Sequence, residues 1–293
     1  MVAVGCVVGL PIVAYAAVVL IGGLSGGNRK TQTSRPPSAS APTTTPAAKS
    51  KVQPGTRVLS VPAKAVRSSV RVPILMYHRI APVSTVTNAV SRDLTVTPAA
   101  FRAQMAWLAA NGYRAITQEQ LFRGLYEGAP LPKRPVVFTF DDGYVDGEKS
   151  VLPMLVKRKW PATFYVITGR VGQRAFMSWR QLQHLDRAGM DIGSHTVGHR
   201  ELPGLDSAGK RAQLTDSKRD LERHLHHPVY WFCYPAGRFD TASVQATKDA
   251  GYLIAVTTQP GSTVRADRPL ETPRIRVRGP GSIDQLRQAL GQS

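Results

Sequence analysis

The sequence predicts an α/β fold: a distorted, incomplete (β/α) barrel of about seven units, behind an N-terminal transmembrane segment and a disordered linker. Three observations carry this expectation. From residue 71 onward, short apolar runs alternate with helix-patterned segments, as in a parallel sheet with helices outside it. The run Val-Val-Phe-Thr-Phe at 136–140 has no polar face to speak of, so the strand it forms is buried on both sides. Residues 2–24 hold no charged side chain, and 17 of the 20 residues 31–50 are Ser, Thr, Pro or Ala.

The elements follow in order. Residues 72–77 are a short apolar run that reads as the first buried strand. Thr97-Pro98 starts a helix, with Thr as cap and Pro in the first turn. Phe101, Met105 and Leu108 then keep helical spacing until Asn111-Gly112 stops it. After strand 136–140 the pattern gives a helix near 148–159, strand 162–168, helix 178–188 and strand 190–194. Helix 207–224, strand 229–234, helix 241–250 and strand 252–257 continue it, and strand 274–277 and helix 282–290 end it. In such folds the chemistry lies just beyond the C-terminal ends of the strands.

The chain has 293 residues, ample for a buried core, and its two Cys cannot build a disulfide framework. A net charge of +19 first points to nucleic acid. The location of the charge argues against that partner. Nine Lys and Arg lie in residues 1–72 with no acid among them, which leaves +10 for the remainder. No RNA-binding signature, zinc-finger spacing or basic zipper is present, so no nucleic acid is expected. The basic stalk is better matched to anionic lipid head groups or wall polymers.

Three regions result: 1–27 as a transmembrane anchor or signal segment, 28–70 as a Ser/Thr/Pro/Ala-rich basic linker, and 71–293 as the folded domain. A bilayer core needs about 20 apolar residues as a helix, so 2–24 can span it, and Pro11 would only kink it. No small-x-small site follows the run, which favours an uncleaved anchor over a secreted form. Cys6 precedes the apolar stretch instead of ending it, which argues against lipidation. Arg29 and Lys30 follow the span and nothing basic precedes it, so a basic leader further upstream is expected. The expected location is the cell membrane, with an extracytoplasmic domain.

At the strand ends, Asp141-Asp142-Gly143 follows strand 136–140. Two adjacent carboxylates there are costly without a cation or a proton between them, although Asp-Gly is also a common turn pair. His195 and His199 follow strand 190–194 and could share one ion if the backbone makes a helical turn. Pro235-Ala236-Gly237-Arg238 stiffens the turn after strand 229–234, and strand 72–77 ends in His78. The trio His224, His226 and His227 lies in a polar, basic stretch and reads as solvated. The joint placement at one end of the sheet is that of a metal hydrolase.

These residues resemble the polysaccharide deacetylase family of carbohydrate esterases. Thr139-Phe140-Asp141-Asp142-Gly143 is similar to its first motif, 194–199 to its second, and Tyr234-Pro235-Ala236-Gly237-Arg238 to its third. The resemblance implies a distorted (β/α) barrel and a divalent ion, usually Zn2+ with Co2+ or others possible, held by Asp142, His195 and His199. It implies Asp141 as general base and the Tyr234 backbone N–H as a donor to the oxyanion. It further implies removal of N-acetyl groups from N-acetylglucosamine units of an extracellular or cell-wall polysaccharide, with peptidoglycan, poly-N-acetylglucosamine and chitin as candidates. An O-acetyl esterase and a catalytically silent glycan-binding module are the alternatives. Two departures stand out. Cys233 occupies the place of the family's third-motif Arg, and no His follows His227. Met76-Tyr77-His78 resembles a rearranged subgroup whose His-bearing strand comes first, which makes His78 the expected general acid. Arg274 is the expected substitute for the missing Arg, and Cys233 a small buried apolar residue.

Overall fold

The computed structural model describes residues 58–85, 88–279 and 281–291. The expected membrane segment and most of the linker fall outside them. Among the described residues no helix is long and apolar enough to cross a membrane.

Seven parallel strands form the centre: β1 (Ile74–Tyr77), β2 (Pro135–Phe140), β3 (Thr163–Val166), β4 (Asp191–Ser194), β5 (Trp231–Cys233), β6 (Ile254–Pro260) and β7 (Thr272–Arg276). Each pairs with the next in chain order, and β7 pairs back with β1 through Ile275 and Leu75. The expected incomplete barrel is therefore closed, though with only seven strands. Closure leaves no strand in the ring with unpaired backbone groups along one side. A further two-residue strand, Arg114–Ala115, pairs with β2 outside the ring.

The helices around it are α1 (Pro98–Ala110), α2 (Gln118–Tyr126), α3 (Leu152–Arg158), α4 (Trp179–Arg187), α5 (Ser207–Leu225), α6 (Thr241–Asp249) and α7 (Ile283–Ala289). All but α3 begin at a Ser, Thr or Asp whose side chain accepts a first-turn N–H. The sequence reading did not include α2. Its Leu121, Phe122 and Leu125 join the side chains that fill the barrel, among them Ile74, Val137, Tyr165, Trp231 and Ile254. Strand alternation sends the neighbours of those residues, such as Leu75, Phe138, Phe232 and Ala255, into the outer core beneath the helices.

Gly193 marks where the interior is tightest. A Cβ there would meet the Tyr165 ring at 2.6 Å and the Trp231 carbonyl oxygen at 2.9 Å. We expect Gly193→Ala to destabilise the fold by about 1–3 kcal/mol through overpacking, read as a fall in thermal midpoint of several °C. An unchanged midpoint would mean that the barrel interior has slack.

Candidate active site

The site begins where β2 ends. Asp141 is 3% exposed and would be destabilised as an anion there without a partner. Arg274 of β7 supplies one. Its Nη1 donates to Asp141 Oδ1 at 2.8 Å and its Nη2 to Oδ2 at 2.7 Å, a two-pronged contact inside the barrel. The remaining donors are used as well: Nε donates to the Thr257 carbonyl, Nη1 also to Thr139 Oγ1, and Nη2 also to Cys233 Sγ at 3.2 Å. Burial alone would raise the Asp141 pKa, but the charge and hydrogen bonds of Arg274 outweigh it and hold the carboxyl well below its ordinary range. Cys233 is fully buried, and its Sγ accepts from the guanidinium that reaches in from β7.

Asp142 and Gly143 both take the left-handed backbone conformation, with φ of 75° and 80°. Asp142 Oδ1 lies 3.5 Å from His195 Nε2 and 3.6 Å from His199 Nε2. His195 Nδ1 donates to the Cys233 carbonyl at 2.7 Å, so its Nε2 carries the free lone pair. The two histidines meet without the expected helical turn. Thr196 and His199 are themselves left-handed, and the His199 N–H donates to Thr196 Oγ1, which folds the loop back on itself.

Burial lowers the His195 pKa to about 3, and His199 is lowered by burial and by the charge of Arg170. Both rings are neutral, as ligands must be. Burial and the neighbouring Asp141 charge push Asp142 up to about 7, a cost that a cation would remove. The ligand atoms of Asp142, His195 and His199 lie within 4.8 Å of one another, and this carboxylate–imidazole set fits zinc or a similar divalent ion. Asp141, His195 and Cys233 are equally close, but they fit poorly. Arg274 occupies both Asp141 oxygens, and burial pushes the Cys233 thiol far up.

His78 follows β1, with Nε2 at 3.9 Å from Asp141 Oδ2. Burial lowers its pKa to about 4, aided by Arg274 and Arg276 and opposed by Asp141. Its Nδ1 is buried without a hydrogen-bond partner.

Tyr234 departs from expectation. Its N–H donates to the Val256 carbonyl at 3.1 Å, so the donor expected for an oxyanion is engaged in the β5–β6 ladder. Alternation turns its ring outward against Phe232 and Phe239. Gly237 closes the turn after it, at a φ of 68° and with Thr258 where a Cβ would stand. The trio at 224–227 is not simply solvated either. His227 Nε2 pairs with Asp186 at 2.8 Å, and His224 stacks on Trp179.

The polysaccharide deacetylase family profile matches residues 128–255. The protein YxkH of Bacillus subtilis (strain 168), which carries a polysaccharide deacetylase name, is 31% identical over 207 residues, 71% of each chain. The chain belongs to the polysaccharide deacetylase family. The poly-β-1,6-N-acetyl-D-glucosamine N-deacetylase of Escherichia coli (strain K12) is 25% identical over 242 residues, covering 68% of this chain but 36% of that enzyme's length. The Streptococcus pyogenes deacetylase PplD, solved in complex with acetate, superimposes with a TM-score of 0.68 at 30% identity, over 75% of this chain and 98% of that one.

Because the folded pKa of Asp141 is depressed, the stability it contributes is present above its unfolded pKa of about 4 and is lost as pH falls through the folded value. Arg274→Met strands the buried carboxylate, and we expect it to cost about 3–5 kcal/mol at pH 7, with Arg274→Lys in between. The gap in thermal midpoint between wild type and Arg274→Met should narrow from pH 7 to pH 3. A constant gap would mean that charge pairing is not what the arginine contributes.

Proposed function

We propose that this protein is a metal-dependent hydrolase that removes N-acetyl groups from N-acetylglucosamine units of an extracellular or cell-wall polysaccharide. One observation carries the reading: a carboxylate–His–His set suited to a divalent ion stands beside a second carboxylate kept ionised by a buried arginine. The family membership and the activity named for the E. coli relative support the substrate bond. The envelope location rests on the sequence of residues 1–70.

Asp142, His195 and His199 would hold the ion, with Zn2+ the expected species and Co2+ an accepted replacement. When bound, such an ion supplies Lewis acidity that acidifies a water and polarises the acetyl carbonyl. Asp141 acts as the base. Arg274 fixes its charge and orientation at some expense in basicity, and Asp141 Oδ1, which accepts from Nη1 alone, keeps a lone pair for the water proton. The new C–O bond forms as that proton moves to Asp141. The C–N bond then breaks, and the departing nitrogen must gain a proton. His78 is neutral at rest and sits beside Asp141, so it can take up a proton there and deliver it to the amine. The products are acetate and a free amino sugar.

Chelation should abolish acetate release from an N-acetylglucosamine oligomer, and Zn2+ or Co2+ should restore it. Asp141→Asn should lose turnover by a factor of about 10²–10⁴ while metal analysis finds the ion still bound. Full activity after chelation would overturn the mechanism. For His78→Ala we expect turnover to fall about 100-fold with little change in KM; a wild-type kcat would remove His78 from the acid role alone.

A further inference from the structure

Between β3 and the metal-ligand loop stands an arginine that the chemistry above does not use. Arg170 ends the short turn Thr168–Arg170. This turn is fastened to the loop between the two site histidines: the Thr168 N–H donates to the Thr196 carbonyl at 3.1 Å, and the Gly169 N–H to the Val197 carbonyl at 2.9 Å. The contact is so close that a Cβ on Gly169 would lie 2.6 Å from the Val197 oxygen. The Arg170 guanidinium lies over the Phe176 ring, Phe176 stacks on Tyr144 at 5.0 Å, and Arg79 covers the Tyr144 ring. A backbone bridge between Tyr144 and Phe176 backs the stack.

Arg79 is neutralised by Asp146 at 2.9 Å, whereas Arg170 forms no ion pair among the described residues. The turn that carries it is hydrogen-bonded to the loop between the two site histidines, and a cation in that position opposes the binding of another cation. Two residues earlier in the same turn, Thr168 Oγ1 is buried without a hydrogen-bond partner. A guanidinium held over an aromatic ring and without a paired carboxylate is suited to an arriving anion.

We propose that Arg170 binds an anionic substituent of the substrate glycan, so that the polymer carries carboxylate or phosphate groups beside the sugar that is deacetylated. This rests on the deacetylase reading. A plain N-acetylglucosamine homopolymer is neutral and becomes cationic as acetyl groups leave, so this rim would repel its product.

Three soluble tetrasaccharides decide it: alternating N-acetylglucosamine and N-acetylmuramic acid, the same oligomer as its methyl ester, and an N-acetylglucosamine oligomer bearing 6-phosphates. We expect kcat/KM to be about tenfold higher for an anionic oligomer than for the ester, chiefly through KM. Preference for the carboxylate or for the phosphate arm identifies the source of the charge. Arg170→Gln should erase the preference, and calorimetric binding to the metal-loaded Asp141→Asn variant should favour the anionic form at low salt and lose that bias at high salt. Equal kcat/KM for acid, ester and phosphate forms would overturn the proposal. So would Arg170→Gln slowing all three alike, which would place Arg170 at the reacting centre. If no oligomer releases acetate, the deacetylase reading fails, and the calorimetric preference still decides the anion site.

Discussion

The contact between Arg274 and Asp141 joins two strands that are far apart in sequence, and it constrains the rest of the site. Two charges withdrawn from water cost several kcal/mol each unless their hydrogen-bonding capacity is nearly filled. Here the guanidinium meets the carboxylate through two bonds and spends its other donors on the Thr257 carbonyl, Thr139 and Cys233. That geometry requires β7 to lie against β1, and β1 against β2, so closure of the ring is a condition of the chemistry. It also requires a small side chain at position 233. An arginine there would compete with Arg274 for the same carboxylate. With Cys233 on β5, the cation beside Asp141 comes from β7.

The mouth of the barrel is built from backbone conformations that ordinary residues avoid. Asp142, Thr196, His199 and Ala236 all have positive φ, and all lie just past strand ends. Such residues cost free energy and persist only where the surroundings over-determine them. Here they are fixed by the parallel ladder below and by local hydrogen bonds such as that from the His199 N–H to Thr196. Each turns a side chain or a loop across the barrel end in a way that a regular turn would not.

Much of this was legible in the sequence because it is local. The alternation of runs gave the barrel, and Asp141-Asp142 and His195/His199 stand within a few residues of strands that the pattern located. What was not legible depends on tertiary placement. Arg274 was expected as the substitute for the missing Arg, but its two-pronged contact with Asp141, 133 residues away, exists only because the closed ring brings them together. The Cys233 carbonyl that orients His195 is main chain, and a sequence carries no signal for it. The Tyr234 N–H looked available because strand β5 appeared to end there, whereas its ladder with β6 continues one residue further. The nine-residue α2 did carry a local signal, the Thr117–Gln120 capping box ahead of Leu121, Phe122 and Leu125, which the strand–helix alternation read from 136 onward left out. His227 was read as solvated because its partner, Asp186, comes from another helix.

The adjacent carboxylates show how one strand end can serve two purposes. Along β2, Val137 and Thr139 point to the barrel axis while Phe138 and Phe140 point to the helices, so the next residue, Asp141, faces inward to Arg274. Continued alternation would send Asp142 outward into the apolar layer. Its left-handed φ instead swings the carboxylate to the mouth, where it faces His195 and His199. Asp141 thus receives its countercharge from the protein, and Asp142 pairs with no Arg or Lys among the described residues, only with His195 and His199. The difference appears in their titration, with Asp141 held low by Arg274 despite burial and Asp142 pushed up to about 7 by burial and by Asp141. A site meant only to satisfy two buried acids would have paired both. Pairing one and leaving the other beside two neutral imidazoles creates a deficit of positive charge at one point, one that a divalent cation would fill.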